Sequence, residues 1–466
     1  MIQKEQIDRW FADKEEMLTA ALARLIAIPS VRGEAQSGMP FGEGPAAALE
    51  EGMAIAREWG LTAACYDGYV GCVDLNEKED QLHILAHLDV VPAGDGWDTD
   101  PFALARRDGV LYGRGVSDDK GPAVAALLAM RAARELGGDL PRNARLILGT
   151  DEETGMEDVK YYYSKEPHAP YAVTPDAQFP VINTEKGHYR VKLTRQWEES
   201  VTLPRIKSLA GGERLNVVPH WAQAMLEGMD PKVVEDACRL VLEATGCGFQ
   251  ITQAGERVCL TATGAAAHAA NPDNGVNAIT GLIAALCAMP FADSPAFRTV
   301  KALNRMFPHG DNHGHALGID MEDEISGRIT VNLALINLNE TGMACAFDSR
   351  TPLCANEDNC AKVAAEAFEE MGFQWSGKMG APHHVPQESE FIQCLLRQYE
   401  NYIGKPGKCM SMGGGTYVHD IPGGVAFGAE DPEYDTRMHC ANERMRLADL
   451  MTMAKIYTHV ILELCG

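Results

Sequence analysis

The stretch LHILAHLDVV at residues 82–91 indicates the fold, because a run of apolar residues ends there in His87, Asp89 and a Pro/Gly-rich turn. This pattern predicts a buried strand and its exit. KGPAVAALLAMRAAREL at 120–136 follows as a predicted helix, and NARLILG at 143–149 as a second buried strand. A strand, a helix and a strand in this order predict an α/β layer with a largely parallel sheet.

The pattern changes at about residue 187. The segments YRVKLT, RVCLTATG and RITVNLALINL predict strands of an open sheet, with helices at 231–245 and 276–289. The final stretch, 444–464, again has an apolar stripe with the period of a helix. We therefore predict one domain that is split between the two ends of the chain and a second domain inserted between them.

The composition is that of a globular and strongly acidic protein. Of its 466 residues, 46% are apolar and 23% are charged, which excludes a disordered chain. The 41 Lys and Arg residues against 66 Asp and Glu residues give a formal net charge of −25. Because such a surface repels nucleic-acid phosphates and anionic lipid headgroups, we expect neither nucleic acid nor a membrane as a partner.

Three features of the sequence indicate the cellular compartment of the protein. The N-terminal segment MIQKEQIDRWFADKEEM carries charges of both signs and has no apolar centre, unlike a signal peptide. The uncharged stretch 274–292 has an apolar run of only about 14 residues, which predicts a buried helix rather than a membrane span. The 13 cysteines include no CxxC pair, which favours reduced thiols and a cytoplasmic protein.

Candidate metal ligands begin at the end of the first predicted strand. His87 and Asp89 face the same side of a strand, near its carboxyl end, where open α/β sheets bind ligands. Asp89 can accept the second N–H of the His87 ring, as the outer partner of a metal-bound imidazole does. Asp118 stands just before the helix at 120–136 and suits either an N-cap or a metal ligand.

Further donors come from separate segments. Glu152 and Glu153 directly follow the strand at 143–149. Because neighbouring residues point to different sides, one can bind a cation while the other takes a proton from water, although a solvated acidic turn is the alternative. Asp176 precedes the next apolar segment, and His439 precedes the last helix. Carboxylate and imidazole donors without a thiolate suit two divalent metal ions, with zinc as our first choice and manganese or cobalt as alternatives.

Nine segments resemble, in the same order, the signature segments of the M20 metallopeptidases, and among them the dipeptidase V (PepV-like) branch. They are HLDVVPAGDGW, GRGVSDDKGP, DEETG, TPDAQFP, GGERLNVVP, HAANPDNGVNA, SRTP, GGGTY and MHCANE. The resemblance runs nearly end to end. It implies an α/β fold with a di-metal catalytic domain, built of a mostly parallel sheet and helices, and an inserted α+β lid domain. The predicted limits are 1–186 and 386–466 for the catalytic domain and 187–385 for the lid.

The resemblance also implies a role for each candidate residue of the catalytic domain. One metal would be held by His87, Asp118 and Asp176, and the other by Asp118, Glu153 and His439, with Asp118 bridging the two. Glu152 would be the general base, and Asp89 would tune His87.

Other residues would contact the substrate. His268, in the lid, would approach the scissile carbonyl. The segment GGGTYVHDIPGG at 413–424 resembles the family's glycine-rich loop near the substrate and lacks the Gly-Lys-Ser/Thr of a P-loop. The implied substrate-binding residues are Asn216, Arg350, Gly414 and His419. Without the resemblance, the lid residues would be a core histidine, a turn asparagine and a surface arginine. His419 departs from the family pattern, in which a basic residue often follows a small one.

The implied reaction is hydrolysis of the peptide bond of dipeptides with free termini, through a water that bridges the metals and a glutamate base. An N-acyl amino acid deacylase with the same centre is the alternative. An inactive metal-binding or scaffold protein is disfavoured because the donor set is complete. A thiol enzyme is disfavoured because eight of the nine segments contain no cysteine, and the ninth contains only Cys440. The resemblance implies a monomer, while other M20 enzymes dimerise.

Overall fold

The computed structural model describes residues 2–466, which form two compact units. Unit 1 comprises the chain up to Thr184, His384–Met410 and Gly415–Gly466, and unit 2 comprises Glu185–His383 and Ser411–Gly414. The limits predicted from the sequence are residues 186 and 385, and that prediction assigns residues 411–414 to the catalytic domain.

The described residues form the following helices and strands. The helices are α1 (Lys4–Phe11), α2 (Glu15–Ile26), α3 (Glu43–Glu58), α4 (Lys120–Gly137), α5 (Glu157–Tyr163), α6 (Pro231–Thr245), α7 (Ala278–Cys287), α8 (Pro295–Met306), α9 (Lys362–Glu370), α10 (Glu390–Ile403) and α11 (Leu447–Leu464). The strands are β1 (Thr62–Tyr66), β2 (Val70–Asp74), β3 (Asp80–His87), β4 (Ala105–Arg107), β5 (Val110–Tyr112), β6 (Asn143–Gly149), β7 (Tyr171–Thr174), β8 (Val181–Glu185), β9 (Gly187–Gln196), β10 (Arg205–Gly211), β11 (Trp221–Glu227), β12 (Gly248–Ala254), β13 (Arg257–Thr263), β14 (Glu322–Asp323), β15 (Gly327–Arg328), β16 (Thr330–Leu338), β17 (Gly342–Thr351), β18 (Gln374–Gly380), β19 (His383–His384), β20 (Cys409–Met412), β21 (Gly424–Ala426) and β22 (Arg444–Arg446).

The central sheet of unit 1 has the order β1-β2-β6-β3-β7-β21-β8-β19, with β20 paired to β8. The pairs at its centre, β6 with β3, β3 with β7, and β7 with β21, are parallel. The pairs of β1 with β2, β2 with β6, and β21 with β8 are antiparallel. The predicted α/β fold class is therefore confirmed, and the sheet is mixed, with its parallel part at the centre.

Helix α4 is the most deeply buried helix of unit 1 because its residues from Lys120 to Met130 are all buried. Its Ala- and Leu-rich sequence lets the helix pack closely on its neighbours, and Leu127 shares the core with Leu450 of α11. The predicted last helix begins at 447 instead of 444, because Arg444–Arg446 pairs with β5 as strand β22.

Unit 2 contains an antiparallel sheet of order β12-β13-β11-β10-β16-β17-β9-β18. Side chains alternate between its faces, as β9 shows: Tyr189 and Val191 are buried in the core while Arg190 is exposed. The uncharged stretch 274–292 contains α7, whose residues Leu282 and Leu286 are buried in that core. Across residues 2–466, we find no helix with the length and apolar character that a membrane crossing needs.

Candidate metal centre

The carboxyl ends of the central parallel strands place three predicted site residues at one edge of the sheet. His87 ends β3 and pairs with Gly149, which ends β6. Glu152 follows β6 after two residues, and Asp176 follows the end of β7 at Thr174. Neighbouring parallel strands end at the same edge of the sheet. Residues that follow different strands in the sequence therefore lie close together there.

The two ring nitrogens of His87 have different partners. Nδ1 lies 2.9 Å from the carbonyl oxygen of Asp89 and 3.5 Å from its carboxylate. Nε2 lies 2.9 Å from Oδ1 of Asp118 and 3.6 Å from Oδ2 of Asp176. If Nδ1 carries the hydrogen and donates it to the Asp89 carbonyl, Nε2 presents its lone pair to a cation.

Asp118 contacts a second histidine through its other oxygen. Oδ2 of Asp118 lies 2.8 Å from Nε2 of His439, and the same nitrogen lies 3.2 Å from Oε2 of Glu153. Two groups of donors result, each with ligand atoms within 4.8 Å of one another. One group is His87, Glu152 and Asp176, and the other is Asp118, Glu153 and His439.

The donor set fits divalent cations because it concentrates negative charge that the protein does not neutralise. Asp118 and Asp119 are buried, and Glu152 and Asp176 are partly buried. Among the described residues, the two candidate donor groups include two imidazoles, those of His87 and His439. Within residues 2–466, Oε1 of Glu153 is buried and has no hydrogen-bond partner. Buried carboxylates without partners are costly, and two divalent ions would offset that cost.

The burial and close spacing of these side chains also shift their pKa values. Burial raises the pKa of Glu152 well above its ordinary value, and the negative charges of Asp176 and Glu153 raise it further. Hydrogen bonds to Asp118 and Glu153 raise the pKa of His439 to about 11. Metal ligands must be deprotonated, so a cation bound here would replace these protons.

The loop that carries Glu152 and Glu153 is held by two buried carboxylates. The amide N–H groups of Glu152 and Glu153 donate to the two carboxylate oxygens of Asp89, each at 3.2 Å. The amides of residues 150 and 151 donate to Oδ2 of Asp158 at 2.6 and 2.9 Å. The Tyr417 hydroxyl donates to the same oxygen at 2.5 Å.

Asp158 and Tyr417 are absent from the sequence prediction because they meet across 259 positions of the chain. No local sequence pattern predicts a contact between two residues that are so far apart in the chain. Tyr417 does lie in the GGGTY segment, which was the only available signal.

The turn that carries Asp118 is held by Glu443. Its Oε1 accepts the N–H groups of Ser117 and Asp118 at 2.9 and 3.2 Å, and its Oε2 lies 2.6 Å from Nη1 of Arg114. The sequence analysis does not assign Glu443 a role, although it is the final residue of the MHCANE segment.

Asp118 does not cap the following helix, which was the alternative role considered for it. Asp119 occupies the N-cap position of α4 and makes no side-chain cap hydrogen bond. Its Oδ2 accepts the backbone N–H of His87 at 3.0 Å instead.

The predicted lid residues lie in unit 2. Asn216 and His268 are exposed on adjacent segments, where the Ala269 N–H donates to the Asn216 carbonyl at 2.9 Å. Arg350, on β17, is buried: Nε donates to Asp348 at 2.8 Å and Nη1 donates to the Gly413 carbonyl at 2.7 Å. Thus His268 is not in a core and Arg350 is not on the surface.

The glycine-rich segment is divided between the units. Gly414 belongs to unit 2 and follows the Gly413 carbonyl that Arg350 binds. His419 belongs to unit 1, where it is half-buried in the short helical turn Tyr417–Asp420.

Comparison with known proteins gives the family. The model of peptidase family M20/M25/M40 matches residues 83–463. The chain belongs to this family. It is 33% identical over 458 residues to YtjP of Bacillus subtilis (strain 168), covering 97% of this chain and 98% of that protein. It is 32% identical over 460 residues to the Beta-Ala-Xaa dipeptidase of Lactobacillus delbrueckii subsp. lactis, covering 97% and 96%.

Among solved structures, human carnosine dipeptidase 1 has the same fold, with a TM-score of 0.59 and 16% identity over 100% of this chain and 99% of that one. The predicted M20 family and the predicted enzyme class, a metallopeptidase of the dipeptidase type, are confirmed.

Proposed function

We propose that this enzyme hydrolyses the peptide bond of dipeptides with free amino and carboxyl termini, using two divalent metal ions. The observation that carries the proposal is the position of Asp118, whose two oxygens face the Nε2 atoms of His87 and His439. A carboxylate shared in this way suits a pair of cations better than a single one. The similarity to a Beta-Ala-Xaa dipeptidase supports a dipeptide as the substrate.

The donors divide between the two ions. His87, Asp118 and Asp176 would hold one cation, and Asp118, Glu153 and His439 the other, with zinc as our first choice of metal. When bound, such cations polarise a scissile carbonyl and make a water molecule more acidic. Asp89 would fix the orientation of the His87 ring through its carbonyl oxygen, which lies 2.9 Å from Nδ1.

Glu152 is the proposed general base. Its carboxylate lies with His87 and Asp176 at the edge of the sheet, so it faces the region where the attacking water would be bound. Burial raises the pKa of Glu152, which favours its taking a proton from water and passing it to the leaving amine. Its backbone is held by the hydrogen bond to Asp89, which limits its drift from the reacting atoms.

Unit 2 would act as the lid and provide substrate contacts. After its bonds to Asp348 and Gly413, the Arg350 guanidinium still has N–H groups on its Nη atoms that can bind the substrate's terminal carboxylate. His268 would donate to the oxyanion as it forms. Asn216, Gly414 and His419 are the further proposed substrate contacts. The active species would be a monomer.

The substrate class is tested with four matched compounds on the metal-loaded enzyme: alanyl-leucine, its N-acetyl form, its C-terminal amide, and N-acetyl-leucine. We expect kcat/KM to be highest for the free dipeptide and to fall on blocking either end. Faster cleavage of N-acetyl-leucine than of alanyl-leucine would replace the dipeptidase with the deacylase. The blocked amine separates the two functions because a deacylase needs an apolar acyl site where a dipeptidase must accept an ammonium group.

A further inference from the structure

A cavity of about 330 Å3 lies in unit 1, among residues that take no part in the metal centre. It is bounded by the end of α10, by the turn between α10 and β20, by the segment after β21 and by the first turns of α11. Its volume is at the lower end of the range for small-molecule sites. The size therefore suits a ligand of amino-acid dimensions.

The interior of the cavity is apolar. Phe179 and Tyr399 pack with ring centroids 5.7 Å apart, and Ile403 and Met410 line the space beside them. Ile403 is one of the large apolar side chains that the protein leaves exposed, at 37%. An exposed apolar side chain at the edge of an apolar cavity gains from a ligand that covers it.

Tyr399 contributes a hydroxyl group to this apolar lining. The residue is 6% exposed, its hydroxyl is not fully buried, and no hydrogen bond joins that hydroxyl to the rest of the chain that the structure describes. Lys405, Asp431 and Glu433 line the same cavity as Tyr399. A phenol hydroxyl that lies between an apolar wall and solvent can bond to a polar group of a ligand in the cavity.

The rim carries charges of both signs. Lys405 and Lys408 lie on the turn after α10, with Nζ of Lys405 3.5 Å from Glu433. Asp431 and Asp449, which also line the cavity, share one cation, Arg446, at 2.6 Å each. With Arg446, these residues contribute three positive and three negative charges, so the rim has no net charge. A small ligand that carries one charge of each sign is complementary to this arrangement.

We propose that the cavity binds a zwitterionic α-amino acid with an apolar side chain. The side chain would contact Phe179, Tyr399 and Ile403. The carboxylate would face Lys405 and Lys408, the ammonium group would face Asp431 and Asp449, and the Tyr399 hydroxyl would bond to either charged end. This binding is independent of the proposed hydrolysis.

The probe is L-leucine, titrated by calorimetry into the metal-loaded full-length enzyme. Two analogues test the charge argument: leucinamide lacks the carboxylate and 4-methylpentanoate lacks the ammonium group. Each should bind at least about 10-fold more weakly than L-leucine, the scale of one lost charge-assisted contact. Equal affinity for 4-methylpentanoate would show a merely apolar site and overturn the proposal.

Two variants locate the site. Ile403→Trp places a larger side chain at the cavity edge and should abolish this binding, whereas Ile325→Trp changes an exposed isoleucine of unit 2 and should not. Tyr399→Phe keeps the ring and should weaken binding by about 10-fold through loss of the hydroxyl contact. Unchanged dipeptide hydrolysis by Ile403→Trp in the absence of leucine would show that the variant folds.

Product binding at the metal centre is distinguished by the same variants. Leucine that binds Ile403→Trp with the wild-type affinity and stoichiometry occupies another site, and the proposal is then wrong. A wild-type enzyme that shows no saturable heat with leucine also overturns it. Neither result depends on turnover, so a failure of this proposal is distinct from a failure of the proposed function.

Discussion

Asp118 places one carboxylate oxygen against each of two imidazoles: Oδ1 is 2.9 Å from Nε2 of His87, and Oδ2 is 2.8 Å from Nε2 of His439. His87 and His439 are 352 positions apart in the sequence. The single carboxylate therefore links the first strands of the chain to its last segment. This relationship is the basis for treating the two donor groups as one centre.

Asp118→Asn should reduce the content of both metal ions, because the substitution removes the charge that both would share. We expect the affinity for each ion to fall by at least about 10-fold, the lower limit seen even for outer partners of metal ligands. Elemental analysis after dialysis measures the content.

His439→Ala is the matched comparison, since it should affect one ion much more than the other. Asp95→Asn changes an exposed carboxylate of the loop after β3 and should leave the metal content unchanged. Equal retention of both ions in Asp118→Asn would show that the carboxylate is not shared.

Glu152→Gln should retain the metals and lose turnover. A glutamine cannot take up a proton, so kcat should fall by at least about 10²-fold, the usual scale for a general base. Glu153→Gln should instead lose metal, because Glu153 contacts His439 in the second group. Metal loss in Glu152→Gln with metal retained in Glu153→Gln would reverse the roles of the two residues.

Tyr417→Phe should lower kcat by about 10-fold without changing the metal content or KM. The hydroxyl bonds to Asp158, which holds the amides that precede Glu152, so its loss loosens the position of the base. Removing a buried hydrogen bond to a carboxylate should also cost about 1–3 kcal/mol in the free energy of unfolding.

Tyr161→Phe is the control, because that hydroxyl also bonds to an aspartate, Asp67, but on the surface. It should be nearly neutral in both kcat and stability. If Tyr417→Phe lowers only stability and leaves kcat unchanged, the Tyr417–Asp158 bond does not position the base.

The sequence predicted those features of the fold that depend on local pattern. The predicted helices at 120–136 and 231–245 correspond to α4 and α6, because the residue pattern of a helix is a local signal. The antiparallel edges of the unit 1 sheet were not predicted. The pairing of β2 with β6 joins residues more than 70 positions apart, and neither strand's sequence specifies its neighbour.

The candidate site also contains residues that the local sequence predicts and residues that it does not. His87 and Glu152 could be proposed because each lies at or just beyond the carboxyl end of a buried strand, and parallel strands bring these ends together. Glu443 could not be assigned in this way, since it accepts a backbone N–H group from a residue 326 positions away. Asp158 could not be assigned either, since its partner Tyr417 is 259 positions away. Such bonds depend on the folded backbone, which a residue pattern does not describe.

Arg350→Lys should lose most of kcat/KM on free dipeptides. The substitution keeps the positive charge but cannot bond to Asp348, to the Gly413 carbonyl and to a carboxylate in the same planar arrangement. We expect a loss of about 10- to 100-fold, the scale of a charge-assisted pair.

Amidation of the dipeptide's C-terminus completes a double-mutant cycle with Arg350→Lys. If both changes remove the same contact, amidation should harm the wild-type enzyme far more than the variant. Additive losses would show that Arg350 supports the glycine-rich segment without binding the terminal carboxylate.

The most direct test of the account is a metal titration of the stripped enzyme, with hydrolysis of alanyl-leucine measured beside the number of ions bound per chain. We predict no turnover in the stripped protein and full activity on reloading with zinc, manganese or cobalt, at two ions per chain. Full activity in protein that elemental analysis shows to be free of metal would contradict the account.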